Sequence, residues 1–441
     1  MNIVIALSFF IFMMVMSTLF FEGNNKEQAV YMSVPLLFLA FNISFNSINY
    51  RIVGENLKDY VNTATLVIFG LLLCIFNKKT LKITWEYIFF IPLFLEILFF
   101  TKDIYNFPNF LRQLLNYLSI YMCFLIGKSV KHISLTRFMT SFNLLAILNG
   151  ILGIAQMITK KTLLIGNFNS SILYTEGLVN GNRAVGIAGS NNSAGNLAAL
   201  LFVVVLFNFI KDKNIYSFIA IILNLIFALL TQTRIGLLAI AITLLIVFIN
   251  YKPKKRTDFL LKNLVFIFLL ILGLCILIVF GTKIIDVLFL NRGDTAGERF
   301  IQYKMAFNTA IANHPITGIG TGQWRSYLYG FYKLVDIPIH SQYLNFFVEN
   351  GIVIFILNII FNVGIFISCI KLTLKKKFNV NFNVCLFIIC LFVTNIIVSN
   401  FNPNQIYTLN NVVYYLIIFI TQAYLRQEIS IANEEEKRIE Y

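Results

Sequence analysis

The chain has 441 residues, 58% of them hydrophobic and 12% charged, with a formal net charge of +15. A soluble domain carries roughly 25% charged residues, so this composition excludes an ordinary soluble enzyme or binding module. The basic excess does not point to nucleic acid either. Lysine and arginine cluster in short loops between apolar runs and build no basic face with interleaved aromatics.

Apolar runs long enough to cross about 30 Å of hydrocarbon recur along the chain. The expected spans are 2–21, 29–47, 60–76, 84–100, 112–127, 139–158, 192–210, 215–232, 235–250, 260–281, 342–370, 379–400 and 406–425. Strand alternation is absent, which argues against a barrel. The expected fold is therefore all-α, a polytopic transmembrane helical bundle of about 12–13 spans. Residues 1–425 are expected to form one integral membrane domain, and residues 426–441 a charged, disordered cytoplasmic tail. The first run lacks a basic leader and a small-residue cleavage site, so it reads as a retained span. All six cysteines fall inside apolar runs and read as small hydrophobes.

Basic loops recur on alternate sides, at 77–82, 128–137, 211–213, 251–256 and 371–377. Setting these in the cytoplasm puts 21 of the 35 lysines and arginines inside. The loops 159–191 and 282–341 then face outward, and the larger is expected to hold short helices. The outward set is richer in arginine. Its planar fork suits phosphate oxygens better than the point charge of lysine does.

Arg183 heads the stretch RAVGIAGSNNSAGN, which leads into the span at 192. Gly195 permits close backbone approach, and Asn191 is a good helix cap. This is either an anion site at a helix N-terminus or a polar loop that caps a helix. Arg234 sits at the tight turn TQTR between two apolar runs. It either faces a wet cavity or snorkels to the interface. In the large loop, RFIQYKMAFNTAIAN reads as an amphipathic helix with Phe300, Tyr303, Phe307 and Ile311 on one face. Arg299 stands near its start, where a cation gains nothing from the helix dipole. TGIGTGQW follows; it lacks the lysine of a phosphate-binding loop. His340 and Ser341 then open a long span, with His340, Leu344, Phe347 and Gly351 on one helical stripe. Gly351 would let a neighbouring helix come close. A neutral imidazole at the membrane boundary can accept a hydroxyl proton; the other reading is an interfacial or capping histidine. His132 and His314 read as structural.

These residues together resemble the bacterial O-antigen polymerase and O-antigen ligase superfamily. The resemblance rests on the stretch from Arg183 to Ala194, the turn at Arg234, and the loop from Arg299 through HPITGIGTGQW to His340-Ser341, with nine residues before Gly351. Ile354 stands where the family motif has a second glycine. The first 150 residues match only in being hydrophobic.

The resemblance implies a metal-independent, cofactor-free membrane glycosyltransferase of GT-C-like fold in the bacterial cytoplasmic membrane. Its donor would be a glycan on undecaprenyl diphosphate, and its acceptor a sugar hydroxyl on the outer face. A chain-length regulator and a flippase would act beside it. On that reading Arg183, Arg234 and Arg299 hold the diphosphate, His340 serves the acceptor hydroxyl, and Ser341, Asn191 and Gly351 support them. A repeat-unit polymerase is the favoured member, with a ligase to lipid A-core or another acceptor as the close alternative. A lipid-linked oligosaccharide flippase would predict charged residues within the spans, which apart from Glu96 are scarce.

Overall fold

A computed structural model describes residues 26–41, 44–52, 55–62, 64–76, 82–101, 106–164, 168–176, 179–252, 295–313, 315–333, 338–374 and 384–439, with a few isolated residues besides. The helices are α1 (Lys26–Phe41), α2 (Ala64–Ile75), α3 (Tyr87–Phe100), α4 (Phe107–Ser129), α5 (Leu135–Thr159), α6 (Asn191–Asp212), α7 (Ile215–Thr231) and α8 (Arg234–Asn250). They continue as α9 (Thr295–Asn313), α10 (Trp324–Tyr332), α11 (Gln342–Leu374), α12 (Val384–Phe401) and α13 (Thr408–Ile439). Two small antiparallel hairpins interrupt them: β1 (Ser44–Ile52) with β2 (Glu55–Asn62), and β3 (Leu173–Glu176) with β4 (Val179–Asn182).

Helices α4, α5, α6, α11, α12 and α13 are each long and apolar enough to cross a membrane, and α1, α2, α3, α7 and α8 are shorter apolar helices. The chain is an all-α polytopic membrane protein. Each of these helices matches an expected span. The remaining two, 2–21 and most of 260–281, lie outside the described residues. Local chemistry sets several boundaries. Asn106 caps α4 by accepting from the Asn109 amide, with Pro108 in the first turn. Asn214 caps α7 through the Ser217 amide, and α7 ends at Gln232 in the left-handed region.

Two expectations are corrected. The span expected at 29–47 stops at Phe41, and SFNSINYRI pairs with ENLKDYVN as a hairpin. Asparagine and serine weaken a helix there, while the spaced Phe45, Ile48 and Tyr50 favour a strand. The tail expected to be disordered continues α13 as helix to Ile439. Its stretch ANEEEKR is dominated by good helix formers, which lets the helix run on beyond its apolar part.

Helices α6 and α13 form the centre of the bundle. Both are buried around most of their circumference, as expected for helices apolar on all faces. α13 packs on α4 and α11, and α6 on α5, α7 and α8. Hydrogen bonds tie the loops at each end into one layer. At one end Arg426 pairs with Glu86, and Gln427 accepts from the Ile133 amide. At the other end meet Thr101, Asn109, Arg183, the 231–234 turn, the 315–324 loop, His340 and the 399–411 loop. The candidate site is built at this second end.

Candidate functional site

The first half of the site is a junction of two helix N-termini. α6 and α8 start side by side because Gly195 and Gly236 let their backbones touch. A β-carbon on Gly236 would overlap the Gly195 carbonyl, and one on Gly195 would overlap the Thr233 side chain. Neither helix start is closed by a side-chain cap. The buried oxygens Ser190 Oγ and Asn191 Oδ1 have no hydrogen-bond partner. Thr233 Oγ1 instead donates to the Asn191 carbonyl at 2.9 Å. Two positive dipole ends without a side-chain cap make an anion-attracting surface, and Arg234 is the first residue of α8.

Arg183 belongs to this junction but works inward. It is buried, donating Nε to the Thr231 carbonyl at 2.8 Å and Nη2 to the Gln232 carbonyl and Thr233 Oγ1 at 3.3 and 3.2 Å. A turn in the left-handed region leaves those carbonyls without helical partners, and the guanidinium satisfies them. Arg183 thus fixes the turn that aims Arg234.

The second half is the corner where α9 meets the start of α11. His340 is half-buried and precedes the helix, so it is not on the helical stripe with Leu344 and Phe347 that its spacing suggests. Ser341 caps α11 by accepting from the Leu344 amide at 3.3 Å. His340 Nδ1 lies 2.9 Å from Gln302 Oε1, and its carbonyl accepts from Tyr303 Oη at 2.8 Å. An Nδ1–H that donates to the Gln302 oxygen leaves the lone pair on Nε2. Burial, then the positive field of Arg299, lower the imidazole pKa to about 4. Burial raises the phenol of Tyr303 above its ordinary range, and the field of Arg299 partly offsets that. His340, Arg299, Gln302 and Tyr303 therefore form one electrostatic unit. A cleft of about 440 Å³ opens beside it, lined by Tyr303, Phe307, Ser341, Leu344, Asn400 and Phe401.

An asparagine-rich loop, SNFNPNQIYTLNN (399–411), joins the two halves. Gln405 Nε2 donates to the Ile339 carbonyl next to His340 at 2.8 Å. Asn404 and Asn402 bond Asn196 in the first turns of α6, and Asn410 donates to the Ser193 carbonyl. Asn411 reaches Asn116 on α4. Carboxamides both donate and accept, so one loop can bind the starts of α6 and α11 and the middle of α4 at once.

The glycine-rich segment has a structural task. Glu349, fully buried, accepts from the amides of Gly322 and Trp324 at 3.0 Å each and from Asn345 Nδ2 at 3.0 Å. Asn350 donates to Glu96 at 2.7 Å and to Thr321 Oγ1 at 2.6 Å. α11 breaks at Gly351, whose φ of 77° suits only glycine. The partner that comes close at Gly351 is not a helix, as its spacing suggested, but the backbone of Ile316 and Thr317. The broken turn lets the Ile352 amide donate to the Pro315 carbonyl at 2.8 Å. Among the described residues, no group of three or more His, Cys, Asp or Glu is placed to hold a metal ion. His314 lies outside them.

Residues 219–359 match the family model described as O-Antigen ligase. Over this stretch, about a third of its length, the chain is similar to the O-antigen ligase and polymerase superfamily. No curated protein matches the chain. The O-antigen ligase match contains Arg234, Arg299, His340, Ser341 and Gly351 and stops short of Arg183 and Asn191. The structure joins those two to it through Thr233. Residues of the site that sequence reasoning passed over are Gln302, Tyr303, Glu349, Asn350 and the 399–411 loop. Two of their signals were present. Six of the thirteen residues from Ser399 to Asn411 carry carboxamides, too many for a simple span boundary, and Glu349 is a carboxylate inside an apolar run.

Proposed function

We propose that the protein is a glycosyltransferase that elongates a polysaccharide, joining a glycan carried on undecaprenyl diphosphate to a hydroxyl of another lipid-linked repeat unit. The observation that carries this reading is the pairing of an anion-attracting junction with a half-buried neutral histidine at the same end of the bundle. The junction supplies Arg234 and the starts of α6 and α8. The corner supplies Arg299 and His340.

In the reaction the acceptor oxygen bonds to the anomeric carbon while the bond from that carbon to the diphosphate oxygen breaks. The departing electron pair stays on the diphosphate, where Arg234, Arg299 and the helix dipoles stabilise it. Arg183 acts through the turn that carries Arg234. The hydroxyl proton passes to His340 Nε2. A pKa near 4 makes the free imidazole a weak base. A bound diphosphate offsets the Arg299 charge and so raises the basicity of His340 as the donor arrives. Gln302 holds the ring in the tautomer this requires.

The basic loops between the spans support the reading that this end faces outward from the cytoplasmic membrane. Transfer of a finished chain to a lipid A-core acceptor uses the same groups, so the ligase is the second reading. Deleting the gene and sizing the surface glycan separates them. A single repeat on the final carrier supports the polymerase. Long polymer stranded on undecaprenyl diphosphate supports the ligase. Unflipped precursor overturns both in favour of a transporter.

A further inference from the structure

His340 is held from both sides of its own Cα. The Ile339 carbonyl, in the peptide plane before it, accepts from Gln405 Nε2 at 2.8 Å. The His340 carbonyl, in the peptide plane after it, accepts from Tyr303 Oη at 2.8 Å. Peptide planes are rigid, so the backbone of a residue has two soft dihedrals. Fixing the plane on each side of His340 fixes both, and with them the direction in which the imidazole leaves the chain. Gln302 then holds the ring itself.

Two of these three holds come from one helix, since Gln302 and Tyr303 are neighbours on α9. They set His340 relative to α9. Gln405 reaches it from elsewhere. Its own carbonyl accepts from Asn116 Nδ2 of α4 at 3.1 Å, and the side chain of its neighbour Asn404 accepts from Asn196 Nδ2 of α6 at 3.2 Å. Asn196 lies in the second turn of α6, the helix whose start adjoins Arg234. Gln405 therefore carries the hold on His340 across to the helices of the junction. Its side chain is buried but half satisfied, because Oε1 has no hydrogen-bond partner. Burying an orphaned acceptor opposes stability, so packing alone does not account for an amide at this position. An apolar side chain of the same size would avoid that cost. What it would lack is the N–H that reaches the Ile339 carbonyl.

We infer that Gln405 is a positioning residue for the transfer: through the Ile339 carbonyl it holds His340 at a set place relative to the junction that carries Arg234. The inference rests on the proposed role of His340, through which Gln405 acts. The bond goes to the backbone and not to the imidazole, so it sets where the base stands without touching its chemistry. A base displaced from the junction is displaced from the hydroxyl that must meet the anomeric carbon, while the anion site itself is unchanged. Loss of the Gln405 N–H therefore acts on kcat and leaves the donor KM in place.

The test measures transfer by the full-length protein in vesicles supplied with lipid-linked single repeats. Gln405→Met keeps the volume and removes the N–H. Its kcat should fall about tenfold to a hundredfold, the upper figure matching a displacement of about 1 Å, with the donor KM unchanged. Gln405→Asn, whose amide is too short to reach the carbonyl, should show the same split and serves where the apolar variant does not fold. Added to His340→Ala, either change should cause no further loss, because the group that Gln405 positions is gone. An equal fold-loss in both backgrounds, a rise in KM with kcat intact, or an unchanged kcat overturns the inference while leaving the reaction standing. A His340→Ala protein as fast as the wild type overturns the proposed role of His340 itself.

Discussion

His340 Nδ1 and Gln302 Oε1 stand 2.9 Å apart across the corner between α9 and the start of α11. This contact favours the tautomer with the proton on Nδ1 and the lone pair on Nε2. Gln302→Ala frees the ring to adopt the other tautomer and to rotate. The expected result is a fall in kcat of about tenfold or more, the lower range for a mispositioned base, with donor KM little changed. Steady-state rates at varied donor concentration check this.

Arg299 is a cause of the low His340 pKa, second to burial. The histidine is neutral above about pH 4, so the acid limb of kcat/KM for the free enzyme should fall near pH 4. Arg299→Gln removes a neighbouring positive charge, which favours the protonated ring and raises its pKa. The acid limb should then move toward higher pH, together with weaker donor binding. A limb that stays in place would separate Arg299 from His340.

Gly195 and Gly236 bring α6 and α8 into backbone contact. Gly236→Ala places a methyl group against the Gly195 carbonyl and must part the helices. Overpacking of this sort costs roughly 1–3 kcal/mol. The thermal midpoint in detergent should fall and the donor KM should rise, because the two helix starts no longer face one anion. Gly70, with open space around it, is the matched control.

Glu349 holds the amides of Gly322 and Trp324 against the break at Gly351. Glu349→Ala removes the carboxylate that both amides donate to, at roughly 1–3 kcal/mol for each buried group. Gly351→Ala adds left-handed strain and a clash with Ile316. Both variants should unfold at lower temperature, and limited proteolysis should open first within 315–324.

The spans were legible because each is a long apolar run, and runs of that length have few alternatives. The hairpin at 44–62 was not, because its Phe45, Ile48 and Tyr50 extend the preceding apolar run and mask the asparagines between them. Arg234, Arg299 and His340 stood out as charge and imidazole against apolar sequence. Their partners did not. Gln302 and Tyr303 look like ordinary positions of an amphipathic helix, and only the fold shows them turned toward His340. Gly351 was legible as a special glycine but not for its reason, since a positive φ leaves no trace in the sequence. The loop at 399–411 reads as a polar connector until the starts of α6 and α11 and the middle of α4 are seen to converge on it. Arg183 was assigned to phosphate from its charge, and its carbonyl partners became visible only when the 231–234 turn was placed beside it.

The central claim is that His340 serves the acceptor hydroxyl in transfer from a lipid diphosphate. The most direct measurement is polymer formation by His340→Ala in membranes supplied with lipid-linked single repeats. The account predicts a protein that inserts and folds normally, a rate lowered by about a hundredfold or more, and accumulation of the single repeats. Polymer made by this variant at the wild-type rate and length would contradict it.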